Sequence, residues 1–122
     1  MAYTVAWERN GIYITYLERV TFSEFMGAIL NIHADSNYAT IRYVIHDMVA
    51  ATELDFSEVD MTKIVAHELG ARYTNTKVRP AVVSTDSTMA EMIKVFCELT
   101  NLDVGRFQNV ADARNWCNQA VE

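Results

Sequence analysis

The sequence predicts an α/β fold with a mixed, mostly parallel five-stranded sheet and four helices, in the order β-β-α-β-α-β-α-β-α. Three observations predict it. The 122 residues, 51% hydrophobic and 21% charged, are typical of one globular domain, which we expect to span residues 1–122. The hydrophobic pattern changes repeatedly between the period of a strand and the period of a helix. Strands that alternate with helices favour parallel pairing through right-handed crossovers.

The first two strands, residues 3–8 and 12–17, are expected to form a hairpin around Asn10-Gly11, a dipeptide that favours two-residue turns. Such a turn would place Trp7 opposite Ile14 and put alternate apolar residues of both strands on one face. The other face of the hairpin is half polar. Because a sheet covered on both faces has continuous apolar strands, we expect the helices to lie on one face only.

The rest of the chain continues the alternation. Thr21 and Glu24 have the spacing of a capping box, which predicts a helix that ends before Asp35. The later elements are expected as a strand at 41–47, a helix from Ser57, a strand at 78–84, a helix capped by Asp86 or Ser87, a strand at 104–107, and a helix from Asn109 through Trp116.

Charge and composition exclude several classes of protein. The formal net charge of −6 argues against nucleic acid or an anionic membrane surface as a partner. The longest charge-free apolar stretch, residues 25–34, is too short to span a bilayer, and Glu8 and Arg9 interrupt any signal peptide. We therefore expect a cytoplasmic protein without membrane insertion.

No cofactor or metal site is expected. Cys97 and Cys117 lack metal-ligand or redox spacing and are interpreted as buried free thiols. His33, His46 and His67 are scattered over three predicted elements. Because no nucleophile elbow, phosphate loop or acid–base constellation occurs either, we do not expect an enzyme.

Four segments together resemble the SpoIIAA-like small bacterial proteins, which are related in fold to the STAS domains of anti-sigma factor antagonists. These segments are Trp7-Glu8-Arg9-Asn10-Gly11-Ile12-Tyr13, Arg42-Tyr43-Val44-Ile45-His46-Asp47, Asp55-Phe56-Ser57-Glu58, and Phe107-x5-Ala113-x2-Trp116. The resemblance covers nearly the whole chain and implies a SpoIIAA/STAS-like fold.

The resemblance also implies a candidate site. STAS antagonists carry a serine after a central strand, and a partner kinase phosphorylates it. Asp47 and Asp55 match the two aspartates of that stretch and Ser57 matches the phosphorylated serine, whereas Phe56 and Glu58 depart from its first serine and its glycine.

Two interpretations of Ser57 stay open. A phosphate at a helix N-terminus is favoured by free N–H groups, but four nearby carboxylates would offset much of that gain. The alternative is that Ser57 is an ordinary N-cap residue.

A second group of candidates concerns a ligand. His46 lies at a strand end, where ligands of parallel sheets gather, and Ser84, Thr85 and Ser87 precede or begin a helix. Met26, Met89 and Met92 fall on core-facing positions and could border a cavity for an apolar ligand. STAS-like folds also resemble the lipid-carrying Sec14 (CRAL-TRIO) domain in topology. The alternatives for these residues are ordinary capping and core packing.

We therefore predict a non-enzymatic regulatory or protein-interaction module that acts through residues 47–60. The two interpretations of Ser57 leave open whether this module has a working phospho-switch. The alternative is a small carrier of a lipid or another apolar ligand held between sheet and helices. Exposed strand edges and a sheet face bearing Tyr13, Leu17 and Val44 also favour a homodimer.

Overall fold

The computed structural model describes residues 3–119 and confirms the predicted α/β class. Its main sheet has five strands in the spatial order β1-β2-β4-β6-β7, with β1 antiparallel and the others parallel. These strands are β1 (Tyr3–Trp7), β2 (Gly11–Tyr16), β4 (Tyr43–Asp47), β6 (Arg79–Val83) and β7 (Gly105–Phe107). A small parallel pair, β3 (Arg19–Thr21) and β5 (Glu53–Asp55), lies outside this sheet and was not predicted.

Four α-helices connect the strands, together with a 3₁₀ helix at Ser36–Thr40. They are α1 (Phe22–Ala34), α2 (Met61–Ala71), α3 (Ser87–Thr100) and α4 (Val110–Asn118). The predicted capping box is present, since Thr21 Oγ1 accepts from the Glu24 N–H at 3.1 Å and Glu24 Oε1 accepts from the Thr21 N–H at 3.0 Å. Of the two predicted caps of α3, Asp86 is the one observed, and Asn109, where the last helix was predicted to begin, is the N-cap of α4.

The prediction of helices on one face only is wrong. On one face, which we call the three-helix face, Ile12, Ile14, Val44 and Val82 pack with α1, α2 and α3. On the opposite face, the α4 face, Tyr43, Ile45, Ala81 and Val83 pack against α4. Val44 is therefore in the core and does not share a surface with Tyr13.

The physical reason lies in the central strands. All five residues of β4 are buried, and β6 carries consecutive apolar residues at 81–83. Such continuous runs are typical of strands that are covered on both faces. On its face of the sheet, α4 packs mainly on β4, β6 and β7. The hairpin strands therefore alternate between apolar and polar residues, although the central strands do not.

The hairpin register also differs from the prediction. Trp7 pairs with Ile12, and the Glu8 N–H donates to the Gly11 carbonyl at 2.8 Å, so the loop consists of Arg9 and Asn10. Gly11 lies within β2, where the Tyr43 ring occupies the space that a β-carbon would need. The glycine thus permits a close approach and does not form the turn. A shift of two residues preserves the faces, so the predicted grouping of side chains is confirmed.

Candidate functional site

The segment between β4 and α2 lies at the carboxyl end of the central parallel strands. The Glu18 N–H donates to the Ala50 carbonyl at 3.0 Å and the Glu53 N–H donates to the Glu18 carbonyl at 3.2 Å. These bonds place the β2–β3 connection beside this segment. We call residues 17–19 and 47–60 the acidic loop surface.

Asp47 is a buried residue that fixes the start of this surface. Tyr13 donates its hydroxyl to Asp47 Oδ2, and Asp47 Oδ1 accepts from the Val49 N–H at 3.0 Å. Burial, together with this hydrogen bond to the carboxylate, raises the pKa of Tyr13 to about 12. Asp47 therefore orients the start of the loop.

Ser57 is exposed in a turn, and the prediction that it starts a helix is wrong. Its hydroxyl donates to Asp55 Oδ1 at 2.8 Å and its N–H donates to the same atom at 3.3 Å. These two hydrogen bonds are the main cause of a lowered pKa at Asp55. The helix begins at Met61 instead, where Asp60 is the N-cap and accepts from the Lys63 N–H at 3.2 Å.

Burial of Phe56 explains this difference. Its ring packs edge-on against Phe22, with centroids 5.9 Å apart, and against Phe25 at 5.6 Å. Because the chain must bury Phe56 just before Ser57, it turns there and delays the helix until the second capping residue, Asp60. Ser57 thus lies three residues before the N-cap Asp60 and does not cap α2.

The acidic loop surface carries both charged side chains and exposed apolar side chains. Arg19 binds both Glu53, with Nε to Oε2 at 3.0 Å, and Asp55 across the β3–β5 pair. Glu58 and Asp60 are exposed. Val49 is 65% exposed, and Leu17 is exposed as well. Val49 was missed in the sequence, because it continues the apolar pattern of a buried strand.

The predicted hydroxyl residues before α3 form an ordinary cap. Ser84 is buried and its Oγ accepts from the Asp86 N–H at 3.1 Å, while Thr85 and Ser87 are exposed. The Asp86 carboxylate accepts from the N–H groups of residues 88 and 89. The helix N-terminus is thus occupied by a carboxylate of the protein.

A cavity of about 60 Å³ lies between the three-helix face and the helices. Met89 and Met92 line it, as do Phe25 and Phe96, whereas Met26 is buried in the core and does not. A cavity of about 150 Å³ holds benzene, and one water occupies about 30 Å³ of liquid. The cavity therefore has less than half the volume of one that holds benzene.

His46 forms the polar part of this cavity. The ring is buried between Tyr16 and Phe25, with the Tyr16 hydroxyl 3.0 Å from Nδ1. Burial lowers the pKa of His46 to about 4, so the ring is neutral at pH 7. Glu68 lines the same cavity and lies 3.5 Å from His33 Nε2.

A polar cluster on the α4 face could not be predicted from spacing. Arg114 binds Glu8 with two hydrogen bonds of 3.0 and 2.8 Å, and Tyr43 donates its hydroxyl to Glu8 at 2.6 Å. The hydrogen bond from Arg114 is the main reason that the pKa of Glu8 is lowered. The Arg114 guanidinium also lies 5.0 Å from the Tyr13 ring centroid. The side chains of Glu8, Arg114 and Tyr43 are thus hydrogen-bonded to one another, and this cluster anchors α4.

No group of three or more histidine, cysteine, aspartate or glutamate side chains among residues 3–119 could hold a metal ion. No helix in the same range is long and apolar enough to cross a bilayer.

Comparison with known proteins shows the fold. No protein-family model matches the chain, and no curated protein matches it. The unphosphorylated anti-sigma factor antagonist SpoIIAA is similar in structure, with a TM-score of 0.63, 11% identity, and coverage of 96% of this chain and 98% of SpoIIAA. The phosphorylated Bacillus SpoIIAA has a TM-score of 0.59 at 10% identity, with coverage of 93% and 98%.

An uncharacterized DUF3478 protein with a SpoIIAA-like fold, from Shewanella loihica, is also similar. It has a TM-score of 0.55 at 13% identity, with coverage of 95% of this chain and 92% of that protein. At these identities the likeness shows the fold alone. The chain has a SpoIIAA-like fold.

Proposed function

From its SpoIIAA-like fold, we propose that this domain is a non-enzymatic regulatory module that binds a protein partner through the acidic loop surface. The observation that carries the proposal is the exposed Val49, which precedes Ala50, the residue that binds the β2–β3 connection. One of its structural relatives is an anti-sigma factor antagonist, which suggests an anti-sigma factor as the class of partner.

The chemistry of this surface indicates what a partner would present. Val49 and Leu17 are apolar and exposed, and Glu53, Glu58 and Asp60 are exposed acids of the same acidic loop surface. A partner surface with an apolar centre and a rim of lysine or arginine would complement it. The charged rim would speed association and make the affinity sensitive to salt.

Three contacts tie the surface to the rest of the fold. The β3–β5 pair fixes its middle, the buried Phe56 fixes its end, and the Asp47 carboxylate fixes its start. Ordering a loop on binding costs free energy, so a loop that is already ordered binds more tightly.

The proposed module works without a phospho-switch. A phosphate on Ser57 would replace the hydroxyl donor that now binds Asp55, and Asp55 and Glu58 would repel it. Mass spectrometry of protein from its native host tests this point, because stoichiometric phosphate on Ser57 would contradict it.

Binding to an anti-sigma factor of the same host, measured by isothermal titration calorimetry, tests the proposed surface. Val49→Lys removes the apolar centre and adds a charge that repels a basic partner. We expect at least about tenfold weaker binding, or ~1.4 kcal/mol. Leu99→Lys is the control, because Leu99 is 59% exposed on α3, away from the surface. Equal affinities of the two variants would reject the surface, and no binding by the wild type would reject the partner class.

The alternative function, a carrier of an apolar ligand, is supported by the cavity between sheet and helices. Its ligand would have only a few heavy atoms, unless the half-buried Met92 and Ile93 move apart. Native mass spectrometry of the purified protein tests this function: a bound small molecule supports it, and a clean mass of the chain alone opposes it.

A further inference from the structure

We infer that two copies of this chain associate through β1, so that their main sheets continue into each other. β1 is an edge strand of the five-stranded sheet, and its only neighbour among the described strands is β2. Four of its five residues are exposed. A free edge offers unpaired N–H and C=O groups that another strand can bind.

The direction of these free groups follows from the hairpin. The Glu8 N–H donates to the Gly11 carbonyl, so the backbone of residue 8 faces β2. Backbone groups of neighbouring strand residues alternate in direction. Therefore Tyr3, Val5 and Trp7 direct their N–H and C=O groups away from the sheet, toward the free edge.

This pattern is symmetric about Val5. A two-fold axis at Val5 pairs it with the partner's Val5 and pairs Tyr3 with the partner's Trp7, and all three outward residues then gain backbone hydrogen bonds. The side chains of these residues lie on one face. Val5 is 38% and Trp7 39% exposed, so the pairing would bury apolar surface on both copies.

Charge favours a second copy at this edge. Two chains of net charge −6 repel each other, but residues 3–7 carry no charge. The nearest acid, Glu8, binds Arg114 on the α4 face. The opposite edge strand, β7, is only three residues long and has the exposed Arg106 at its centre, which is a common protection against pairing. β1 has no proline, lysine or other charged residue that would prevent pairing with another strand.

The first test is sedimentation velocity of the full chain from about 10 μM to about 1 mM, a range that suits a modest interface. We expect a concentration-dependent dimer. Val5→Pro removes an N–H that β2 does not use, and Trp7→Lys places a charge in the interface, so each should weaken the dimer at least tenfold. Leu69→Lys, at a residue that is also 39% exposed but on α2, should leave it unchanged. Circular dichroism checks that each variant folds.

The second test is a cross-link. In the proposed pair the two Val5 α-carbons would be about 5.5 Å apart, which suits a disulfide. Val5→Cys in a Cys97→Ser background should form a disulfide-linked dimer under oxidation, and Leu69→Cys in the same background should not. A wild type that stays monomeric over the whole range, or a dimer that neither Val5→Pro nor Trp7→Lys weakens, would overturn the inference. The outcome is independent of whether an anti-sigma factor binds the acidic loop surface.

Discussion

The buried neutral His46 should make the stability of this domain depend on pH between neutrality and pH 4. Replacing it by glutamine removes the titrating group while keeping a polar side chain near Tyr16. The groups that face His46 are the Tyr16 hydroxyl, Glu68 and His33, and burial is the largest influence on its pKa.

The magnitude follows from the difference between the two pKa values of this histidine. The value is 6.5 when the side chain is in water and about 4 in the folded protein. The unfolded chain therefore binds a proton that the folded chain does not, and acid favours unfolding. The contribution is fully present above pH 6.5 and is lost as the pH falls toward 4. At 1.36 kcal/mol per pKa unit, the loss reaches about 3 kcal/mol at and below pH 4.

Urea unfolding at pH 7, 6, 5 and 4 measures this effect. Because both proteins carry the same carboxylates, the free energy of unfolding should fall by about 3 kcal/mol more in the wild type than in His46→Gln. His67→Gln, at an exposed histidine of α2, is the control and should follow the wild type. If His46→Gln loses as much stability with acid as the wild type, the assignment of a neutral buried ring is wrong.

Three further substitutions test the fold by urea unfolding at pH 7. Gly11→Ala forces a β-carbon into the Tyr43 ring and should cost about 1–3 kcal/mol, whereas Gly27→Ala, in open space on α1, should stabilise by up to about 1 kcal/mol; equal effects would refute the close contact. Glu8→Gln should cost about 1 kcal/mol and speed hydrogen exchange in α4, and unchanged exchange would show that this half-exposed pair does not anchor the helix. Asp60→Ala should cost about 1 kcal/mol and Ser57→Ala less than half of that, because only Asp60 caps α2; the reverse order would restore Ser57 as the cap.

Local signals were sufficient for most of the architecture. Thr21, Asp86 and Asn109 cap the helices that their positions predicted, because a cap depends on a side chain and backbone groups two or three residues away. The predicted strands differ from the observed ones by at most two residues at each end. The alternating hairpin also placed its side chains on the correct faces despite the shifted register.

The candidate site was only partly predictable. The resemblance led to residues 47–60, and this segment does lie at the carboxyl end of the central strands. Within it, Asp47 is buried and accepts a hydrogen bond from Tyr13, and Ser57 lies in a turn before the helix. The exposed Val49 had no signal in the sequence, since an apolar residue after a strand is usually buried.

The sequence by itself determined the order of the elements, the caps and the faces of the hairpin, because these depend on periodicity and on neighbours within a few residues. Only the tertiary structure decided that α4 covers the second face of the sheet, where Arg114 meets Glu8 across 106 positions of chain. It also decided that His46 is buried and neutral. Such contacts arise from the packing of distant segments, and no local pattern of residues encodes them.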